Sequence, residues 1–149
     1  FTLIELLVVV AIIGILAAVG VVAYSGYTSG AKKQAAKSTH SNVVKYIAAE
    51  LQKCNLGETN AMATKLTCSG RDASKVITAA TANDGPFADF KNPYVTADLA
   101  VRNSTDTSKG GYVNLNAKST SVVTVATCFT EDSDCGTSSN VVTKDITIE

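Results

Sequence analysis

An uninterrupted apolar run near the N-terminus constrains this chain more than any other feature. Residues 6–23 read LLVVVAIIGILAAVGVVA, without a charged or polar side chain, and the uncharged stretch continues to Ala31. At a rise of about 1.5 Å per residue, a helix of this length matches the hydrocarbon thickness of a bilayer. A buried helix of a soluble core usually keeps a polar stripe, so a membrane span is the better interpretation.

The apolar run lacks the features of a cleaved secretory signal. No basic residue precedes it, and no small-residue cleavage site followed by a polar mature sequence ends it. The chain starts at Phe1 rather than at Met. We therefore expect that a segment upstream of Phe1 was removed and that the apolar helix is kept in the mature protein.

Glu5 is the only charged residue before Lys32. A carboxylate at the edge of an apolar helix is costly to bury, and by default such a residue marks a functional site. Between protein subunits it needs a cation, and the α-amino group of Phe1, in the same chain or in a neighbouring one, is the obvious candidate. The simpler alternative is that Glu5 only stabilises the positive end of the helix dipole.

The first 18 residues, FTLIELLVVVAIIGILAA, closely resemble the N-terminus of class IVa type IV pilins and of the related pseudopilins of type II secretion. The resemblance covers about the first 30 residues of the chain. The resemblance implies the type IV pilin fold, an α+β fold in which a long N-terminal α-helix packs on a C-terminal antiparallel β-sheet.

The resemblance also implies how such a protein matures. A prepilin peptidase would process the terminus and N-methylate Phe1, and Glu5 would pair with Phe1 of an adjacent subunit. The protein would reside in the bacterial inner membrane and then join, through the pilus assembly machinery, a helical extracellular filament of identical subunits. The implied function is that of the major structural subunit of a type IV pilus on the cell surface, used for adhesion, twitching motility or DNA uptake.

Two alternatives stay open: a pseudopilin or minor pilin, and a membrane-anchored binding domain that never polymerises. An enzyme has little support, because His40 is the only histidine and no nucleophile motif, phosphate loop or carboxylate pair accompanies it. We therefore expect no catalytic residue and no cofactor. The formal net charge is zero, so specific nucleic acid binding is not predicted either.

The apolar helix departs from the family pattern at position 22, where many members carry proline and this chain carries Val22. It has glycines instead, among them Gly14 and Gly20. Each glycine in a helix interior costs about 1 kcal/mol relative to alanine. We predict that the helix loosens between Gly14 and Val22 in the filament.

The whole chain divides into two predicted parts. Residues 1–30 are expected to form the transmembrane or filament-core half of a helix, and residues 31–149 a globular domain. Within this domain, 31–53 is an amphipathic continuation of the helix, 54–110 a connecting loop, and 111–149 an antiparallel sheet with a disulfide loop. The amphipathic part is predicted from apolar positions at three- and four-residue steps, namely Ala36, His40, Val43, Val44, Ile47 and Leu51.

Three later stretches are rich in β-formers and partly alternate like half-buried strands: Tyr112–Ala117, Ser121–Phe129 and Asn140–Ile148. A hairpin turn is predicted at 117–120, and a short helix within 69–82. An antiparallel sheet of three or four strands against the helix would bury the apolar faces of both.

Four cysteines, Cys54, Cys68, Cys128 and Cys135, predict two disulfides. None has the C-x-x-C spacing, so a zinc site is a poor interpretation. Three pairings exist, and we favour Cys54–Cys68 with Cys128–Cys135 because each closes a short loop. Oxidised cysteines indicate a location outside the cytoplasm.

Two surface sites have simpler alternatives. Asn103-Ser104-Thr105 has the form of an N-glycosylation sequon, but an unmodified polar loop is preferred. Glu131, Asp132 and Asp134 offer carboxylate oxygens to Ca²⁺. Because they lack the longer spaced pattern of a strong calcium loop, a solvated surface loop without metal is preferred.

Overall fold

The computed structural model describes the chain from Phe1 to Glu149. Helix α1 runs from Leu3 to Asn55. The chain divides into two compact units, Phe1–Ala31 and Lys32–Glu149, and α1 contributes residues to both. The helix ends where Gly57 adopts a positive φ of 98°, which allows the N–H groups that follow α1 to bond its last carbonyls.

The second half of α1 buries one face. Five of the positions expected from the periodicity are buried, and Val44 is half-buried. Glu50 and Cys54 also lie on the buried face, where the apolar pattern did not predict them. This face packs into the core of the second unit, whose largest fully buried side chains include Ile47, Met62, Leu66 and Leu115.

A four-stranded sheet has the order β3-β4-β5-β6. Its strands are β3 (Val101–Asn103), β4 (Val113–Ser119), β5 (Val122–Cys128) and β6 (Val141–Thr147). Strands β4, β5 and β6 are antiparallel, whereas β3 pairs with β4 in parallel. The α+β fold class is therefore confirmed, but the sheet is mixed rather than purely antiparallel. Residues 104–112 return the chain to the starting end of β3 before β4 begins, so the two strands run in the same direction.

The hairpin turn between β4 and β5 lies at Thr120–Ser121, not at 117–120 as predicted. Ala117 and Lys118 remain in β4, with a register irregularity before Ser119. Both residues are exposed, at the end of the strand. There, the Lys118 ammonium lies 2.6 Å from a carboxylate oxygen of Asp145 on β6.

Residues 54–110 contain more regular structure than the predicted connecting loop. A two-stranded hairpin of β1 (Asn60–Ala61) and β2 (Leu66–Thr67) is followed by helix α2 (Ala73–Ala80) and then by β3. Asp72 caps α2 by accepting the Lys75 N–H at 2.9 Å. Strands of two or three residues are too short for a period-two pattern to reveal them.

The β1–β2 turn holds three consecutive non-glycine residues at positive φ: Met62 at 53°, Ala63 at 53° and Thr64 at 67°. Such left-handed conformations are strained for L-residues. A buried carboxylate stabilises the turn, because a Glu50 oxygen accepts the Met62 N–H at 2.6 Å and the other oxygen binds the Lys53 ammonium at 2.6 Å. Burial alone would raise the pKa of Glu50, but these two hydrogen bonds outweigh it and hold the pKa below its ordinary value.

Candidate functional site

The N-terminal part of α1 presents an apolar surface on all sides. Between Leu3 and Val22, every large apolar side chain is at least 48% exposed. Fully burying one such side chain contributes about 1.5–3 kcal/mol, so this surface requires a cover other than water. By length and composition, α1 is able to cross a membrane, and none of its most apolar window is buried in the single chain.

Glu5 and Thr2 form a capping box at the start of α1. Glu5 Oε2 accepts the Thr2 N–H at 2.7 Å, and Thr2 Oγ1 accepts the Glu5 N–H at 3.3 Å. The sequence interpretation missed the role of Thr2, although the Thr-x-x-Glu spacing is a known signal for such a cap. Within a single chain, Glu5 therefore caps the N-terminal end of α1.

The Phe1 amine has no carboxylate partner within the chain. The ion pairs of the single chain all join side chains between Glu50 and Asp145, and none involves Phe1 or Glu5. A pairing of Glu5 with the Phe1 amine of another subunit is a property of an assembly and stays a prediction.

Gly14 and Gly20 lie within an unbroken stretch of α1. A Cβ atom added at either position would have no neighbour within 4 Å. Packing in the single chain therefore does not require glycine at these positions. The predicted loosening of the helix concerns the filament and stays a prediction.

The four cysteines form two disulfides, Cys54–Cys68 and Cys128–Cys135. The first joins the end of α1 to the residue after β2, and the second closes the loop after β5. All four side chains are buried. Each disulfide therefore links a core element to an adjacent loop.

The three carboxylates proposed for Ca²⁺ have different surroundings. Asp132 accepts the Gly110 N–H at 2.8 Å and the Lys109 ammonium at 3.1 Å, and these contacts lower its pKa. Glu131 and Asp134 are exposed, and their carboxylates make no hydrogen bond or ion pair. No group of three or more acidic, histidine or cysteine side chains is arranged to hold a metal ion.

The sequon residues lie at the end of β3. Asn103 and Thr105 are exposed, whereas Ser104 is half-buried and its Oγ accepts the Asp106 N–H at 3.0 Å. Glycosylation at Asn103, Ser104 or Thr105 stays a prediction.

His40 lies on the buried face of α1. Its Nδ1 is 3.0 Å from Thr127 Oγ1 on β5, and burial lowers its pKa. This hydrogen bond links the helix to the centre of the sheet, which gives His40 a role in packing.

A comparison with known families identifies the N-terminal segment. A family model described as the prokaryotic N-terminal methylation motif matches residues 1–21. The chain carries the hallmark motif of type IV pilins and pseudopilins. In proteins of the pilin and pseudopilin superfamily, the motif implies processing by prepilin peptidase and assembly of a pilus. No curated protein and no solved structure matches the chain.

The methylation motif contains Phe1 and Glu5, which are predicted to pair between subunits, and Gly14 and Gly20, which are predicted to loosen the helix. It also contains the capping residue Thr2. The exposed apolar surface of α1, residues 3–22, covers nearly the same segment as the motif. The N-terminal part of α1 is thus the candidate functional site of this chain. The match does not extend to the second unit, so it supports the superfamily without distinguishing a major pilin from a pseudopilin.

Proposed function

We propose that this chain is the major structural subunit of a type IV pilus, which polymerises through the N-terminal part of α1 into a helical extracellular filament. The observation that carries this proposal is the apolar surface of residues 3–22, exposed on all sides and interrupted by the single charge of Glu5. The filament would serve adhesion, twitching motility or DNA uptake.

In this proposal, the apolar surface of residues 3–22 is surrounded first by lipid and later by protein. In the bacterial inner membrane, lipid surrounds it, and the uncharged stretch before Lys32 is long enough to span the hydrocarbon layer. In the filament, the N-terminal helices of neighbouring subunits replace the lipid. The two disulfides agree with a second unit that resides outside the cytoplasm.

Glu5 experiences the largest change between these two environments. In the single chain its carboxylate is exposed and bonds the Thr2 N–H. Between packed apolar helices, a carboxylate without a cation is strongly destabilising. The amine of Phe1 in a neighbouring subunit supplies that cation, and N-methylation of the amine leaves its positive charge in place.

Glu5→Gln separates the two roles of Glu5. Glutamine still accepts the Thr2 N–H in a capping box, but it carries no charge. We expect full-length Glu5→Gln chains to reach the membrane and to yield far fewer filaments than wild type, by about tenfold or more, because the buried ion pair is lost. Filaments sheared from cells are counted by negative-stain microscopy, and mass spectrometry of the filament band reads the methylation of Phe1.

Thr2→Ala is the matched control, because it removes the hydroxyl of the cap and keeps the Glu5 charge. We expect it to retain most filaments. Normal filament yield from Glu5→Gln would contradict the ion-pair role of Glu5. The absence of any filament containing the wild-type chain would favour a membrane-anchored domain that does not polymerise. Wild-type chains that stay in the envelope and are scarce in the sheared fraction would favour a pseudopilin or a minor pilin.

A further inference from the structure

A groove lies between the second half of α1 and β6, the strand at the sheet edge. Its volume is about 350 Å³. We call it the basic groove, and its main lining residues are Lys37, His40, Val44, Lys45, Val142 and Lys144. Since Lys37, Ser41 and Lys45 follow at four-residue intervals, the two helix lysines lie on the same face of α1.

The lysines of the basic groove have no acidic partner within the chain. Lys37, Lys45 and Lys144 are exposed, and none is within ion-pair distance of a carboxylate. The Lys37 ammonium instead lies 4.1 Å from the centre of the Phe129 ring. Between the lysines, the groove is apolar, with Val44 and Val142 half-buried. An acidic group bound there would be partly shielded from water, which strengthens its attraction to the lysines.

A complementary surface exists on the same chain. We call residues 128–135, closed by the second disulfide, the acidic loop. Its Glu131 and Asp134 carboxylates are exposed and without partners. Asp132, in contrast, binds the Gly110 N–H and Lys109 and so attaches the loop to the segment before β4.

The acidic loop is held rigidly against this segment. A Cβ atom on Gly110 would lie 2.0 Å from the Thr130 carbonyl oxygen, so the two backbones touch. The Tyr94 hydroxyl also donates a hydrogen bond to the Phe129 carbonyl at 2.8 Å. A loop fixed in this way loses little conformational entropy when it binds a partner.

We propose that the basic groove of one subunit binds the acidic loop of a second copy of this chain. This inference rests on the proposed function and names a contact between the globular domains of the filament. The chain has a formal net charge of zero, yet unpaired charges of opposite sign remain at two neighbouring sites of one subunit, which adjoin where the Lys37 ammonium lies over the Phe129 ring. A contact between two different surfaces of identical subunits is heterologous, and such contacts generate open helical polymers when the rotation does not close.

Reversal of charges on either surface tests the contact in the full-length protein. The groove variant is Lys45→Glu with Lys144→Glu, and the loop variant is Glu131→Lys with Asp134→Lys. Each places like charges opposite each other, so we expect each variant to reduce the yield of sheared filaments by about tenfold. The chain that carries both pairs of substitutions restores opposite charges, and we expect it to recover most of the yield.

One control variant and two further measurements make the result specific. Lys91→Glu with Asp89→Lys reverses exposed, unpaired charges outside both surfaces and should leave the yield unchanged. Thermal unfolding of each variant should match wild type, which separates a lost contact from a misfolded domain. Wild-type filaments should dissociate more readily as NaCl is raised, and the groove variant should lose this dependence.

Unchanged filament yield from both charge-reversed variants would overturn the proposal. So would a combined variant no better than the two single-surface variants. If the groove variant forms normal filaments but fails to retain a labelled DNA duplex, the groove binds a polyanion and the subunit contact is wrong. Each of these outcomes rejects the contact between the groove and the loop but not the proposed function. Normal filaments from Glu5→Gln would instead contradict the role of Glu5 and would not bear on the groove.

Discussion

Glu50 shows how one side chain can stabilise a backbone that the local sequence would not favour. It comes from α1, yet it accepts the N–H of Met62 at the start of three left-handed residues in the β1–β2 turn. A buried carboxylate is costly by itself. Here its two hydrogen bonds compensate for burial and connect the helix to the turn.

We expect Glu50→Ala to lower the free energy of unfolding by about 1–3 kcal/mol, because the buried Met62 N–H loses its acceptor. Denaturant unfolding of the full-length protein in detergent measures this. Glu58→Ala is the control, since Glu58 is exposed and forms no ion pair. Equal unfolding midpoints for the two variants would show that the turn does not depend on the carboxylate.

Glu50 should also make the free energy of unfolding depend on pH, and the direction of this dependence follows from its pKa shift. Since the pKa of Glu50 is lowered in the folded state, the carboxylate stabilises the fold above its unfolded pKa, which is near 4.5. This contribution is lost as the pH falls below that value through the folded pKa. The stability difference between wild type and Glu50→Ala should therefore shrink on acidification from pH 6 to about pH 3. A constant difference across this range would contradict a charged role.

At the scale of elements, α1 is one helix with two different surfaces. Its N-terminal part is apolar on all sides, whereas the part in the second unit has one buried face. Hydrogen bonding within the helix is common to both parts, so the difference comes from the side chains alone. Gly14 and Gly20 are the positions where the apolar part has the weakest intrinsic preference for a helix.

Gly14→Ala with Gly20→Ala tests whether the helix must loosen in the filament. Both methyl groups fit the single chain without contact, and each stabilises a helix by about 1 kcal/mol. We expect normal membrane insertion but a reduced filament yield, because a stiffer helix resists local unwinding. Gly26→Ala is the control outside the predicted region and likewise meets no neighbour. A wild-type filament map with unbroken helical hydrogen bonds from Gly14 to Val22 would reject the loosening.

At the scale of the whole molecule, the second unit is small and polar, and its core is linked by two disulfides. A small domain of this kind buries limited apolar surface and gains much from covalent links. Cys54–Cys68 joins α1 to the β1–β2 region and spans 14 residues, whereas Cys128–Cys135 spans 7. The first disulfide is therefore expected to constrain the unfolded chain more strongly.

We expect Cys54→Ser with Cys68→Ser to lower the free energy of unfolding by about 3 kcal/mol, and Cys128→Ser with Cys135→Ser by about 2.4 kcal/mol, from loop entropy alone. Denaturant unfolding of both variants provides the measurement. A larger loss from the second pair would mean that the acidic loop contributes to stability beyond its disulfide.

The sequence by itself determined the features that depend on neighbouring residues. The apolar run, the methylation motif and the three- and four-residue period of α1 are local patterns, and local hydrogen bonding turns them into a helix. The α+β class followed from the alternation in the later strands. The number of cysteines allowed three pairings, and only the short loops favoured Cys54–Cys68 with Cys128–Cys135 among them.

Only the tertiary structure decided the features that join distant residues. The parallel pairing of β3 with β4 depends on the path of residues 104–112, and the left-handed turn depends on a carboxylate from α1. The hydrogen bond from the Thr2 N–H to Glu5 is visible in the sequence as a capping pattern. The basic groove is not visible there, because its two walls, α1 and β6, are far apart in the chain. Hydrogen bonds and charges act through space, and the fold alone determines which of them meet.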